Sequence, residues 1–515
     1  MINENMQSYE GFIEITNGWS STDSYKVYFF AEFDKKFDSI IAHSNKQLEN
    51  KEAAFTNEVF FKFDSINSTL MSKIGVSYHS IEQARINLLN DFLENFNFAD
   101  QVLKVIDVWK EQVFDQIVEI RSLDEIVLEK FYNSLYGSHL MPTEKSGVES
   151  PFYRISNTNY LKEVHHSYDS FNYSLNSISD LTMNNGIKQV GLEPICSNIK
   201  VPSSDTPYYD DWFTLWDTYR TLHPLLFIIQ PKRSRDMVNT LSLISEYEGF
   251  APDGRSGGRS GRTQGGSNSD MVISEAIRKN IVTNSLEKCR LYKTSWKNAN
   301  VLPPYFYDRA AKDSTNKFGR GALEDWVTLD YVSTDFSRSL TRTIEYSNND
   351  FGLAMISLEM GDDKMVTNEY LRRSRNWINL WNDDLELKSY EYKGFLNPKI
   401  GLQTRGKFNS KKVGVDAESI FKRKNKFGSF LKSYNPADCK GCYWGDHSYE
   451  GTSIEYMFSI NHDMSKLISI LDGGADEFER RLDDLYNLYC NVDQAKMSGL
   501  KYKFKSLSGK NCGFA

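Results

Sequence analysis

The sequence predicts an α+β protein, with antiparallel strands first and helices in series after them. Two observations carry this. Apolar residues alternate singly through the first 80 residues, the period of a half-buried strand. From Ile86 onward they recur every three to four residues, the period of one helix face. At about 150 residues per domain, 515 residues leave room for about two to four domains.

Tyr25–Phe33 sets Val27, Phe29, Ala31 and Phe33 on one face and Tyr28, Phe30 and Glu32 on the other. Phe55–Phe63 and Leu70–His79 alternate in the same way, with polar Asn/Ser breaks between them. Ser80-Ile81-Glu82-Gln83 then has the capping-box pattern, followed by Ile86, Leu89, Phe92 and Phe96 at helical spacing. A second helix is predicted from Asp100 to Ile117 and a third from Asp124 to Tyr136. Beyond Tyr208 the spacing predicts helices over 210–229, 232–247, 269–280, 337–360, 364–382, 452–471 and 475–489. Such a series predicts an α/α toroid or an irregular bundle. Residues 145–207 and 383–448 show little periodicity and read as long loops.

Composition narrows the function. A formal net charge of −8 supplies no basic footprint for a phosphate backbone, so no nucleic-acid partner is expected. No apolar run reaches the roughly 18 to 20 residues of a membrane span; Leu225-Leu226-Phe227-Ile228-Ile229 is among the longest. Met1-Ile2-Asn3-Glu4-Asn5 has neither a basic nor an apolar leader region, so no signal peptide is visible and the compartment stays open. The aromatic content of 14% is high, which suits both core and the flat faces of sugar rings.

Four segments carry candidate chemistry. In Tyr208–Pro224, Asp217 and Arg220 stand three apart beside Trp212, Trp216 and Tyr219. They read as an i,i+3 ion pair, or as a carboxylate that binds paired sugar hydroxyls between aromatic walls. Gly249–Ser269 is rich in glycine and arginine but lacks the Gly-Lys-Ser/Thr ending of a phosphate loop. It enters a helix with Asn268 or Ser269 as N-cap, where backbone amides could face a ligand oxygen. Cys439-x-x-Cys442 with His447 is half of a zinc site at most, and a local disulfide or two free thiols account for it better. Tyr449-Glu450-Gly451 offers a carboxylate at a helix start, either a general acid raised by burial or a dipole-favoured surface acid.

Taken in order, these segments resemble glycoside hydrolase family 92, the calcium-dependent exo-acting α-mannosidases, especially its fungal-type members. The matching stretches are Lys73-Ile74-Gly75-Val76-Ser77, Gln83-Ala84-Arg85, Leu135-Tyr136 with Leu140-Met141-Pro142, Leu215–Arg220, Gly254–Gly257 and Gly261–Asn268. Arg342–Tyr346 with Asn349-Asp350, Arg373–Trp377, Tyr449-Glu450-Gly451, His462-Asp463, Gly473-Gly474 and Arg481-Leu482-Asp483 complete the series.

The resemblance implies the C-terminal part of a β-sandwich followed by a largely helical (α/α)6-type barrel, incomplete here. It divides the chain into a sandwich portion (1–80), linker helices (81–145), a partial catalytic barrel (146–489) and an unrelated tail (490–515). It implies an inverting reaction on α-mannoside glycans, N-glycans or mannans, with Glu450 as general acid, Asp217 and Arg220 at the terminal sugar and Asn268 lining the site. It implies a Ca2+ ion on the sugar hydroxyls and a family whose members are often secreted. Neither the family's Gly-Asn-Glu-Pro stretch nor its base-bearing Gly-Asn-Asp-Asp-like motif occurs in 490–515, Asn461 replaces a proline, and Glu455 stands where many members have glutamine. The chain therefore reads as truncated at both ends, without its calcium ligands, exposing apolar faces, and is expected not to hydrolyse α-mannosides as it stands. The alternative is a non-catalytic or vestigial glycan-binding product.

Overall fold

The computed structural model describes residues 7–16, 24–43, 58–63, 69–92, 97–116, 120–152, 196, 207–261, 263–301, 303, 319–387, 392–401, 428–439 and 441–486. The region 490–515 lies outside them, as do most of 145–207 and 402–427. The chain divides into two compact units, Met1–Asn172 and Tyr173–Ala515.

The first unit holds a three-stranded antiparallel sheet of β1 (Ser8–Ile15), β2 (Tyr25–Phe33) and β5 (Ser72–Ser77), with β2 in the middle. A second antiparallel pair joins β3 (Ser39–His43) and β4 (Glu58–Lys62). The alternation of β2 sorts its aromatics as its period requires. Phe30 packs with Ala84 and Leu88 of α1 (Ile81–Asp91), while Phe33 joins Phe37, Phe61 and Phe63 in an aromatic cluster. Ser80 caps α1, its hydroxyl accepting from the Gln83 amide at 3.0 Å. α2 (Phe98–Gln112) and α3 (Glu125–Ser138) follow, N-capped by Asn97 and Asp124. Among the described residues Ile13, Ile74 and Val76 on the sheet and Phe98, Leu103 and Ile106 on α2 are exposed.

The described part of the second unit is mostly helical, with two short antiparallel strand pairs. Its helices are α4 (Leu215–Thr218), α5 (Leu222–Ile229), α6 (Pro231–Glu248), α7 (Ser269–Arg278), α8 (Ser285–Asn300), α9 (Leu323–Leu329), α10 (Ser339–Met360), α11 (Lys364–Arg373), α12 (Ser453–Met457), α13 (Met464–Ile470) and α14 (Gly474–Asp484). None of the described helices is long and apolar enough to cross a membrane. Several expected boundaries move. The helix expected over 210–229 breaks into α4 and α5 around Tyr219-Arg220-Thr221. The one expected over 364–382 ends at Arg373, passes through a 3-10 turn at Asn376–Leu380 and becomes strand β8 (Trp381–Leu387), paired with β9 (Tyr392–Leu396). The 3-10 turn keeps Trp377 and Leu380 on one apolar side, so its spacing imitates a continuing helix. Helix α8 is unexpected, because Asn, Lys and Thr dilute its apolar period.

Helix α10 is the centre of this unit. Seventeen of its residues are buried, many of them polar, so each needs a partner inside the protein. Leu340 and Ile344 enter the apolar core with Trp377, Leu380, Leu396 and Met457. Midway along it Asp350 accepts from Arg320 Nη1 at 2.7 Å, Arg373 Nε at 2.6 Å and Trp326 Nε1 at 3.0 Å. Arg320 also reaches Asp270 of α7 at 3.2 Å, and Asp270 accepts from Ser267 at 2.6 Å and Asn298 at 2.9 Å. Arg373 closes the circuit on Asn300 at 3.1 Å and on the Ala299 carbonyl at 3.0 Å. Without this carboxylate buried Arg373 would lose its counter-charge and Arg320 would keep only Asp270. Asp350→Ala should therefore cost about 3–5 kcal/mol of stability, read from urea unfolding by tryptophan fluorescence. The double variant Asp350→Leu with Arg320→Met should cost much less than the sum of the single changes.

Candidate active site

One face of α10 gathers three distant segments. Thr341, Glu345, Asn348 and Asn349 recur at i, i+4, i+7 and i+8, so they line up along the helix. Thr341 Oγ1 accepts from the Tyr449 amide at 3.0 Å. Glu345 Oε1 accepts from Arg220 Nη2 at 3.2 Å, and Asn348 donates to the Tyr219 hydroxyl at 3.1 Å. Asn349 accepts from the Ser267 amide at 2.8 Å and donates to the Asn268 side chain at 3.0 Å. The helix start is held by the same loop that bears Glu450. The Arg338 and Leu340 amides donate to the carbonyls of Asp446 and His447, partners that a helix N-terminus lacks within itself.

The glycine-rich loop lies against this face. A Cβ on Gly265 would stand 2.4 Å from Thr341 Cγ2, so only glycine permits the approach. Upstream, the hairpin β6 (Arg255–Ser256) and β7 (Arg259–Ser260) turns through Gly257 and Gly258, both at positive φ, as a tight two-residue loop requires. Its amides are already taken by carboxylates. Asp210 accepts from Gly258 at 2.6 Å and Asp211 from Gly257 at 3.3 Å. Asp253 accepts from the Gln264 amide at 3.3 Å and the Asn268 amide at 3.1 Å. A concave row of N–H groups filled by the chain's own carboxylates leaves no place for a phosphate. Asn268 does occupy the cap position of α7, yet its side chain turns to Asn349 instead of capping the helix.

The predicted residues fall into two layers. Glu450 and Asp217 are exposed, Arg220 is partly buried and Asn268 is fully buried. Glu450 has φ 57°, a left-handed conformation that a non-glycine residue adopts when its surroundings enforce it. Its amide donates to the Cys442 carbonyl at 2.9 Å, and its Oε2 accepts from Gln264 Nε2 at 2.9 Å. Cys439 and Cys442 form a disulfide, so that pair is no zinc ligand; Cys196 pairs with Cys289. Asp217 accepts from Thr214 Oγ1 at 2.5 Å. Trp212 and Tyr219 are core residues rather than open walls. Trp212 donates to the Tyr209 carbonyl at 2.9 Å and lies over His223.

Glu345, Asp253 and Gln264 were not singled out by motif spacing. A polar stripe at helical period, Thr341, Glu345, Asn348 and Asn349, is the signal that marks Glu345; Asp253 and Gln264 lie in a loop and carry no such signal. Burial pushes the Asp253 carboxyl up to about 8, with the amides of Asn268 and Gln264 opposing and the charge of Glu345 adding. Burial likewise raises Glu345, while Arg220 and the Asn268 amide hold it down. Among the described residues no group of three or more His, Cys, Asp or Glu side chains is arranged to hold a metal ion. The carboxylates nearest the site are engaged by Arg220 and by backbone amides. The described residues therefore do not fit the calcium that the resemblance implies, and no step below is routed through it.

The catalytic-domain model of glycosyl hydrolase family 92 matches residues 83–506, a span that runs into the region read from sequence as a tail. The chain belongs to glycosyl hydrolase family 92. It is 29% identical over 317 residues to an "uncharacterized secreted glycosidase" of Arthroderma benhamiae, covering 58% of this chain and 34% of that protein. Its fold is similar to that of a family 92 α-mannosidase of Bacteroides thetaiotaomicron, with a TM-score of 0.62 and 18% identity, over 95% of this chain and 52% of that one. An inverting family 92 mannosidase of Bacteroides thetaiotaomicron VPI-5482 gives a TM-score of 0.65 at 19% identity, over 97% and 56%. The chain thus spans about half the length of these solved relatives and about a third of the curated one. At these identities the structural likeness is one of fold.

The raised Asp253 predicts a pH signature. A carboxyl whose folded pKa of about 8 exceeds its unfolded value near 4 stabilises the fold when protonated. That contribution is complete below about pH 4 and is lost as pH rises through about 8. The stability of the wild type minus that of Asp253→Asn should therefore fall across this window, on top of a pH-independent cost of about 1–3 kcal/mol for an amide left without its acceptor. Urea unfolding at pH 4.5, 6 and 8 measures it; a constant difference contradicts a buried, proton-binding Asp253.

Proposed function

We propose that this chain contributes the acid side of an inverting exo-α-mannosidase site that removes terminal mannose from N-glycans or mannans. The observation that supports this best is the Gln264–Glu450 hydrogen bond. It joins the glycine-rich loop to the Tyr-Glu-Gly loop across 186 residues, beside Arg220 and Glu345 on the face of α10. In this reading Glu450, exposed and accepting from Gln264 at Oε2, protonates the leaving glycosidic oxygen. Asp217 accepts hydrogen bonds from the hydroxyls of the terminal sugar, and Arg220, anchored on Glu345, borders them. Asn268 lines the site from the layer beneath, through its contacts with Asp253 and Asn349. Inversion also needs a carboxylate about 6.5 to 9.5 Å from the acid to activate water, a role we assign to no described residue.

The same reading takes 1–80 as part of a β-sandwich, 81–145 as linker helices and 146–489 as part of an (α/α) barrel. A secreted location accords with the Arthroderma relative's name and with two disulfides, which persist in oxidising compartments.

In the whole protein, Glu450→Gln should keep its affinity for α-1,2-mannobiose and lose about 10² to 10⁴-fold in kcat. An aryl mannoside with an acidic leaving group needs less protonation and should lose less. Equal losses on both substrates would falsify the acid role. Unsubstituted protein that binds mannobiose without releasing mannose would favour the glycan-binding alternative.

A further inference from the structure

We propose that Tyr443 is the stacking platform for the second sugar of the glycan, the one released when the terminal mannose is cut away. The proposal rests on the acid role given to Glu450 and adds a residue that selects the leaving group. The Glu450 amide donates to the Cys442 carbonyl at 2.9 Å, so Tyr443 stands next to one end of this hydrogen bond and Glu450 is the other. An acid that protonates the glycosidic oxygen must reach it, and the leaving sugar begins at that same oxygen. Whatever holds that sugar is therefore close to Glu450. Among the described residues of 428–457, Tyr443 is the one large hydrophobic side chain that stays exposed, at 64%. Its aromatic neighbours are covered, Tyr449 fully and Trp444 in part. An exposed ring is what the C–H face of a pyranose buries against, while the sugar's hydroxyls keep their water at the rim.

Tyr443 is held in place from behind. Its ring stacks on Tyr449 with 6.1 Å between centroids and 30° between planes, and Trp444 packs on the same Tyr449 ring at 4.9 Å. Its backbone is pinned at both polar groups. The amide donates to Asp446 Oδ2 at 2.9 Å, and the carbonyl accepts from the Asp446 amide at 3.0 Å. Just upstream, the Cys439–Cys442 disulfide closes the chain into a small ring, and the Cys442 amide donates to the Cys439 carbonyl at 3.2 Å. Just downstream, Arg338 at the start of α10 donates to the Trp444 carbonyl at 3.0 Å, with its guanidinium 4.6 Å from the centre of the Trp444 ring. A ring fixed in this way loses little freedom when a sugar settles on it, so most of the contact counts toward affinity. An aromatic serving only to pack the loop would be covered as Tyr449 is. Tyr443 is the member of the cluster left facing outward.

The test is a binding titration on the full chain and needs no turnover. Affinities for α-1,2-mannobiose and for methyl α-mannoside, which lacks the second sugar, are measured by isothermal titration calorimetry. The unsubstituted protein should favour mannobiose, and Tyr443→Ala should reduce that preference about 3- to 10-fold. Tyr443→Phe keeps the ring and should keep the preference, because the platform acts through its face and not through its hydroxyl. Equal affinities for the two ligands in the unsubstituted protein, or an undiminished preference in Tyr443→Ala, overturn the proposal. So does a Tyr443→Ala variant that weakens both ligands alike, since that marks a loosened loop. Absence of binding by either ligand overturns it as well. In turning-over protein, Glu450→Gln separates this proposal from the reading beneath it. If that variant leaves mannobiose turnover intact, the acid reading fails and Tyr443 loses its assignment to the leaving sugar. If it abolishes turnover while the preference for mannobiose ignores Tyr443, the stacking role alone fails.

Discussion

Everything in the helical unit depends on keeping a polar helix buried. Helix α10 is lined with Thr, Glu, Asn, Asp and Arg side chains that water cannot reach, and the fold pairs most of their polar atoms inside the protein. At its middle Asp350 neutralises two guanidinium groups and receives an indole N–H, which ties α7, α9 and α11 to the same carboxylate or to its partners. The helix start is closed by the carbonyls of Asp446 and His447. A network of this kind is weak evidence for net stability, because desolvation offsets most of its attraction. Its consequence is geometric. With most of its members paired in one arrangement, the network holds loops far apart in sequence in register along one helix face.

That register produces the unusual electrostatics of the site. Burial opposes the ionisation of both Asp253 and Glu345; the charge of Glu345 adds to the effect at Asp253, and that of Asp217 to the effect at Glu345. Arg220 and the amides of Gln264 and Asn268 are the counterweight. The exposed layer, Glu450 and Asp217, is therefore built on a buried layer of carboxylates and amides. The second layer sets where the first can point. The left-handed backbone at Glu450 fits this description, since a conformation with its own cost persists where flanking bonds leave no alternative.

Much of this was legible in the sequence, and the failures have physical causes. Alternation in Tyr25–Phe33 and helical spacing after Ser80 located their elements, because each buries one face against a local neighbour. Helix α8 was hidden because its burial is polar. Asn298 and Asn300 face inward to serve Asp270 and Arg373, so no apolar period marks them. The turn at Asn376–Leu380 deceived for the opposite reason, keeping an apolar rhythm after the helix had ended. Glu450, Asp217, Arg220 and Asn268 stand in segments the motifs marked, and one helix assembles three of those segments. Their supports, Glu345, Asp253 and Gln264, come from tertiary contacts that no local spacing encodes. Trp212 and Tyr219 show the same limit. An aromatic beside a carboxylate reads as a sugar wall until the fold places it in the core.

The claim that one face of α10 unites the segments around Asp217, Gln264 and Glu450 into a single sugar site is tested most directly by amide hydrogen exchange with and without saturating α-1,2-mannobiose. Slowed exchange in 214–220, 263–268 and 446–456 together, with one dependence on ligand concentration, is the result this account predicts. Saturable binding that protects only one of these segments, or protects none of them, would contradict it.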